Sequence, residues 1–105
     1  MIITKFIEIT YERYSEKRKV IDKLSVLRYN ADEVKLINDI KDIFEKRQTY
    51  VSDDAKELAK IIMYKEIVKA NSEGFSLANK ATKERHNYLG KEYIGEIELI
   101  FTKTE

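Results

Sequence analysis

The chain has 105 residues, of which 43% are hydrophobic and 37% are charged, and its formal net charge is +1. This length predicts a single domain over residues 1–105. The near-neutral charge provides no long-range attraction to nucleic acid or to an anionic membrane surface. Because the chain contains no cysteine, disulfides, thiolate nucleophiles and cysteine-ligated metal sites are excluded.

The sequence shows no membrane or export signal. No run approaches the ~20 apolar residues that a membrane-spanning helix needs. The first residues also lack the basic region followed by an apolar run that is typical of a signal peptide. We therefore expect a cytoplasmic protein with no membrane partner. A composition rich in Ile, Lys, Asn and Tyr, without Trp or Pro, indicates an AT-rich coding sequence, as in a low-GC bacterium, its phages or an archaeon. The small size together with this composition favours a phage or prophage source.

Both ends of the chain predict β-strands. Apolar residues occupy alternate positions from Ile3 to Tyr11, and again from Tyr93 to Phe101. Successive side chains of a strand point to opposite faces, so each end offers one mostly apolar face. We expect the two terminal strands to pair with each other.

The interior predicts helices. Residues 15–29 carry apolar side chains at helical spacing, although the alternation over residues 24–29 leaves a strand open as the alternative. Asn30 and Glu33 resemble a capping start for a second helix, whose apolar stripe is Val34, Ile37, Ile40 and Phe44.

Two further helices are expected before the last strand. Ser52, Asp53 and Asp54 predict the start of a helix that reaches about Asn71 and stops at Gly74. A weaker helix is predicted over residues 76–89, ended by Gly90. Gly95 indicates a bulge or a close backbone approach in the last strand.

The predicted fold class is therefore α+β in the order β–α–α–α–α–β, with the terminal strands paired in a small sheet packed against about four helices. A two-stranded sheet is marginal by itself and leaves two unpaired edges. We expect a second copy of the chain to complete it, which makes a homodimer.

Residues that could carry chemistry are sparse. His86 is the only histidine and is interpreted as a surface residue of a polar helix, on which Glu84 is too close in sequence to share its face. Asp53, Asp54 and Glu57 are better explained as helix-start residues than as cation ligands. No phosphate-binding glycine loop occurs. We expect no catalytic residue, no metal and no cofactor, and hence no enzyme.

Two basic segments, residues 13–28 and 79–91, are candidates for phosphate contacts if the fold brings them to one side. The competing interpretation is an ordinary mixed surface, since both segments also contain acids. The candidate nucleic-acid-binding residues are Arg13, Lys17, Arg18, Lys80, Lys83, Arg85 and Lys91.

Tyrosine is abundant, with seven in the chain, and it is favoured at protein interfaces. Tyr11 on the first strand and Tyr64 on the broad apolar helix are the candidate interface residues. The sequence thus favours a small non-catalytic interaction or regulatory accessory protein, acting on an unidentified protein and on itself. Nucleic-acid binding is the alternative.

Overall fold

The structure, a computed structural model, describes residues 1–30, 48–51 and 54–105. The described elements form one five-stranded sheet and one helix. All neighbouring strands are antiparallel, in the spatial order β3-β2-β1-β5-β4. The elements are β1 (Ile2–Glu16), β2 (Lys19–Asn30), β3 (Gln48–Val51), α1 (Ala55–Ser72), β4 (Ser76–Tyr88) and β5 (Lys91–Thr104).

The predicted architecture, four helices on a small sheet, is wrong. The described part of the chain has one helix on a five-stranded sheet. The terminal segments are strands, and β1 pairs with β5 along the middle of the sheet from Ile2 opposite Thr104 to Arg13 opposite Tyr93. The helix predicted from Asn30, with its stripe from Val34 to Phe44, lies outside the described residues.

The helix predicted over residues 15–29 is instead the turn and second strand of a hairpin. Lys17 and Arg18 form a two-residue turn in which both have positive φ, 50° and 66°. This left-handed pair matches the twist of the flanking strands. Strand β2 then follows, and it contains the strand that the alternation over residues 24–29 left open.

The hydrophobic core lies between α1 and the sheet face that it covers, here called the helix face. Odd positions of β1 and β5 and even positions of β2 point to this face, as period-two geometry requires. Its fully buried side chains are those of Ile7, Ile9, Leu24, Val26, Leu99 and Phe101. The opposite face is called the second face.

Helix α1 is confirmed close to its predicted bounds. The Asp54 carboxylate accepts the Glu57 backbone N–H at 3.1 Å, which caps the first turn. Beyond the last turn, Gly74 adopts a φ of 89° that suits glycine. Small side chains at Ala55 and Ala59, both 0% exposed, let the helix backbone approach the sheet closely. No helix in the described residues is long and apolar enough to cross a membrane.

A buried carboxylate joins the first hairpin to the start of α1. Asp22 accepts from Arg13 Nε at 2.7 Å, from Arg13 Nη2 at 2.9 Å and from the Ala55 backbone N–H at 3.0 Å. The hydrogen bonds from Arg13 hold the pKa of the Asp22 carboxyl below its usual value. Asp22 is therefore charged in the folded protein and fixes where α1 begins.

The close backbone approach predicted at Gly95 is present. Gly95 lies opposite Tyr11 in the β1–β5 register, and the tyrosine ring lies over its Cα. A Cβ built at Gly95 would be 2.0 Å from Tyr11 Cζ, well inside contact distance. Glycine is required here because the ring occupies the space of a side chain.

Candidate functional site

The outer edge of β4, here called the β4 edge, is the most distinctive surface of the described structure. The residues 76–89 that were predicted to form a helix are this strand and the start of its turn, so that prediction is wrong. Every residue of β4 is exposed except Glu84, which is half-buried. Among the described strands β4 is last in the sheet order, and none of them pairs with its outer side.

The pairing of β5 with β1 determines which backbone groups of β4 face outward. Met1 and Glu105 exchange both backbone hydrogen bonds, and hydrogen-bonded pairs recur at every second residue, so the odd positions of β5 bond to β1. The even positions of β5 therefore bond to the odd positions of β4 that lie opposite them. The N–H and C=O groups of Lys80, Thr82 and Glu84 point away from the sheet.

Glu84 anchors the middle of β4 to the rest of the protein. Its carboxylate accepts from the Tyr11 hydroxyl at 2.7 Å and from Lys56 Nζ of α1 at 3.0 Å. These contacts, the Tyr11 hydrogen bond first, hold the pKa of the Glu84 carboxyl below its usual value. Burial raises the pKa of Tyr11, which keeps its hydroxyl protonated as a donor. The carboxylate is thus stabilised as an anion, which makes it a poor general base.

His86 belongs to the same cluster, contrary to the sequence interpretation. In a helix, residues two apart do not share a face, but in a strand they do. His86 Nε2 lies 3.0 Å from Glu84 Oε1, and the imidazole is 66% exposed. The pair lies on open surface beside Tyr93, whose ring centre is 6.2 Å from that of His86. In the described residues no three acidic or histidine side chains are grouped to hold a metal ion.

Two of the seven candidate nucleic-acid-binding residues are neutralised by acids. Arg13 is paired with Asp22 at 2.7 Å, and Lys91 Nζ lies 2.6 Å from Glu12. The hydrogen bond to Asp22 raises the pKa of Arg13 further above its ordinary value. Both cations are therefore occupied within the protein.

The other five candidates are exposed and make no ion pair with the described residues, but they do not form one patch. Lys17 and Arg18 lie at the tip of the first hairpin. Lys80 falls on the helix face of β4, whereas Lys83 and Arg85 fall on its second face. The turns of both hairpins lie at the same end of the sheet because β1 and β5 are antiparallel neighbours.

Acidic side chains separate the two basic segments on the second face. A groove of about 550 Å³ runs over β2, β1 and β5, and the side chains along it include four glutamates. These are Glu8, Glu12, Glu96 and Glu98. Their charge opposes a nucleic-acid strand running from β2 to β4 across this face.

The two candidate interface tyrosines lie in different environments. Tyr11 is buried, with 7% of its surface exposed, and contributes to the core and to the Glu84 cluster. Tyr64 is 63% exposed and lies beside Ile61 and Val68, which are 43% and 68% exposed. Their spacing puts these three residues on one outer stripe of α1. Of the pair, Tyr64 is thus the residue that lies at the surface.

The sequence reasoning missed the β4 edge and the Glu84 cluster. The available signal was the run Asn87-Tyr88-Leu89-Gly90, since asparagine and glycine are the residues that most readily adopt positive φ in a hairpin turn. Comparison with models of known protein families and with curated proteins finds no match to this chain.

Proposed function

We propose that this chain is a small non-catalytic interaction protein, acting in the cytosol as an accessory or regulatory factor by binding other protein chains, including a second copy of itself. The observation that supports this is the β4 edge: a strand of 13 residues, exposed everywhere except at Glu84, whose outer backbone groups meet no described strand. An extended segment of another chain can add to such an edge through main-chain hydrogen bonds.

The charged side chains on β4 restrict which strands can pair with this edge. Lysine and other charged residues on an edge strand discourage indiscriminate pairing, because most incoming strands would bury or oppose them. Along β4, Ala81 and Thr82 separate Lys80 from Lys83, and Glu84 separates Lys83 from Arg85. An incoming strand therefore pairs well only when it offers acids or small residues at matching positions, so this strand excludes most partners.

A proline variant tests the proposal. Thr82→Pro removes an outward N–H while leaving the β4–β5 hydrogen bonds in place, and proline is tolerated on the open side of an edge. We expect light scattering at micromolar concentration to give a dimer mass for the original chain and a monomer mass for Thr82→Pro. Ser76→Pro, at the first position of the strand, is the matched control and should remain dimeric.

Two results would contradict the proposal: a monomer mass for the original chain throughout this concentration range, or equal association by the original chain and Thr82→Pro. Circular dichroism of both variants verifies that the fold is retained. A co-purifying protein counts in favour only if nuclease treatment leaves it bound and Thr82→Pro releases it.

Nucleic-acid binding is the second candidate, and the exposed cations without described ion pairs favour it. Arg85 also lies over the Tyr88 ring, 4.8 Å from its centre, a pair that can stack on an unpaired base. Replacing Lys80, Lys83 and Arg85 with alanine should then abolish retention on DNA or RNA at low salt. Each lost phosphate contact would lower the salt dependence of log K by roughly 0.7–0.9. Unchanged retention would exclude these residues.

A further inference from the structure

The β4 edge has geometric requirements that restrict how a second copy can pair with it. In an antiparallel pair of strands, directly opposed residues have their side chains on the same face of the sheet. Their backbone N–H and C=O groups either both point toward the other strand or both point away from it. In a symmetric pair of β4 strands the two-fold axis must therefore pass through a residue position. The opposed residues then have numbers that sum to twice that position.

Charge distinguishes the axes through the middle of β4. An axis at Lys80, Lys83 or Glu84 places that residue opposite its own copy, so two like charges face each other directly. An axis at Ala81 faces Lys80 with Thr82 and pairs no opposite charges. An axis at Thr82 faces Lys80 with the partner's Glu84 twice, once on each side of the axis.

We propose that a second copy of this chain adds to β4 in antiparallel register about a two-fold axis through Thr82, so that Lys80 of each chain meets Glu84 of the other. This inference rests on the proposed function and names its partner and register. It joins the two sheets into one, with both α1 helices on the same side.

The backbone pattern is compatible with this register. Even positions of β4 point their backbone groups outward, so Thr82 meets the partner's Thr82 as a hydrogen-bonded pair. The outward groups of Lys80 then bond to those of the partner's Glu84. In this register no cation of β4 opposes another cation, and the bulge between Leu77 and Asn79 falls at the end of the paired stretch.

The side chains also suit an ion pair between chains. Glu84 is held in place by Tyr11 and Lys56, with His86 Nε2 also 3.0 Å from its Oε1, and a carboxylate has about four acceptor sites, one more than these three groups use. Lys80 is exposed, lies on the helix face as Glu84 does, and forms no ion pair with a described residue. The partner's Lys80 thus meets a pre-positioned anion.

A cysteine scan tests the register directly, because the chain has no cysteine of its own. Opposed residues of a hydrogen-bonded pair have Cα atoms about 5.5 Å apart, within the range that a disulfide spans. Under mild oxidation, Thr82→Cys should give a covalent dimer faster than Ala81→Cys or Lys83→Cys. Lys80→Cys should give none, since its copies would lie four positions apart along the strands.

A charge variant supplies an independent measurement. Lys80→Glu should raise the dimer dissociation constant by about tenfold, because two attractive cross-strand pairs become repulsive. Lys65→Glu on the exposed side of α1 makes the same change in net charge and should leave the constant unaltered. Lys80→Glu with Glu84→Gln should recover part of the loss.

The outcomes separate the register from the function. A dimer that Thr82→Pro disrupts, but that cross-links fastest at a position other than 82, would overturn the register and leave the β4 edge as the contact. A dimer that Lys80→Glu and Lys65→Glu affect equally would do the same. A chain that stays monomeric would overturn both.

Discussion

Replacing Asp22 with alanine tests whether one buried carboxylate joins the first hairpin to α1. The substitution removes the acceptor for Arg13 and for the Ala55 backbone N–H. Ala55 is 0% exposed, so its N–H would be left buried without a partner, which costs about 1–3 kcal/mol. The Arg13 side chain is 29% exposed and water replaces its lost partner, so we assign it no separate cost.

We therefore expect Asp22→Ala to lower the unfolding free energy by about 2 kcal/mol and the melting temperature by about 10 °C. Urea and thermal unfolding followed by circular dichroism measure both quantities. Glu92→Ala is the control, since Glu92 is an exposed acid at the same end of the sheet, and it should change stability by less than about 0.5 kcal/mol.

The pH dependence provides the decisive comparison. Hydrogen bonds from Arg13 lower the pKa of Asp22 in the folded state, so its contribution is complete above the unfolded value of about 4. That contribution is lost as pH falls through the lower folded value. The stability difference between the original chain and Asp22→Ala should therefore shrink below about pH 4. A difference that stays constant into strong acid would refute the reasoning and indicate lost packing instead.

Three further substitutions probe the core and the backbone. Gly95→Ala should cost about 1–3 kcal/mol in urea unfolding, since its Cβ would overlap the Tyr11 ring; a neutral result would mean that the ring moves freely. Leu99→Ala should cost about 2–5 kcal/mol, against little change for the 75% exposed Leu89→Ala, and equal losses would contradict the assigned core. Gly74→Ala should lower the melting temperature by several degrees, about 1 kcal/mol, because its φ of 89° disfavours a side chain; an unchanged melting temperature would show that the helix end rearranges.

How much of this fold the sequence predicts depends on which strands bury a face. In β1 and β5 the core face is apolar, so Ile7, Ile9, Ile97 and Leu99 show the alternation that identified them. Strand β4 buries neither face, so no alternation arises, and its Ala, Lys, Glu and Arg content imitates an exposed helix. Pairing with β5 overrides that local preference.

The first hairpin was missed for a different reason. Lys17 and Arg18 occupy a turn with positive φ at both positions, where asparagine and glycine are the usual residues, so the sequence contains no turn signal. The apolar residues of β2 also point to both faces, and Val20, Ile21, Leu24 and Leu27 coincide with helical spacing. The Glu84 cluster could not be predicted either, because its side chains share a face only when residues 76–88 form a strand.

Pairing of β1 with β5 brings the two chain termini into contact. The Met1 amino group donates to the Glu105 carbonyl at 2.8 Å across 104 positions, and the Glu105 N–H donates back to the Met1 carbonyl. Contacts this distant in sequence slow folding, because the loop between them must close before they form. The same proximity makes the chain suitable for head-to-tail ligation. A ring joined at Glu105 and Met1 and reopened between Leu89 and Gly90 would retain every strand of the sheet.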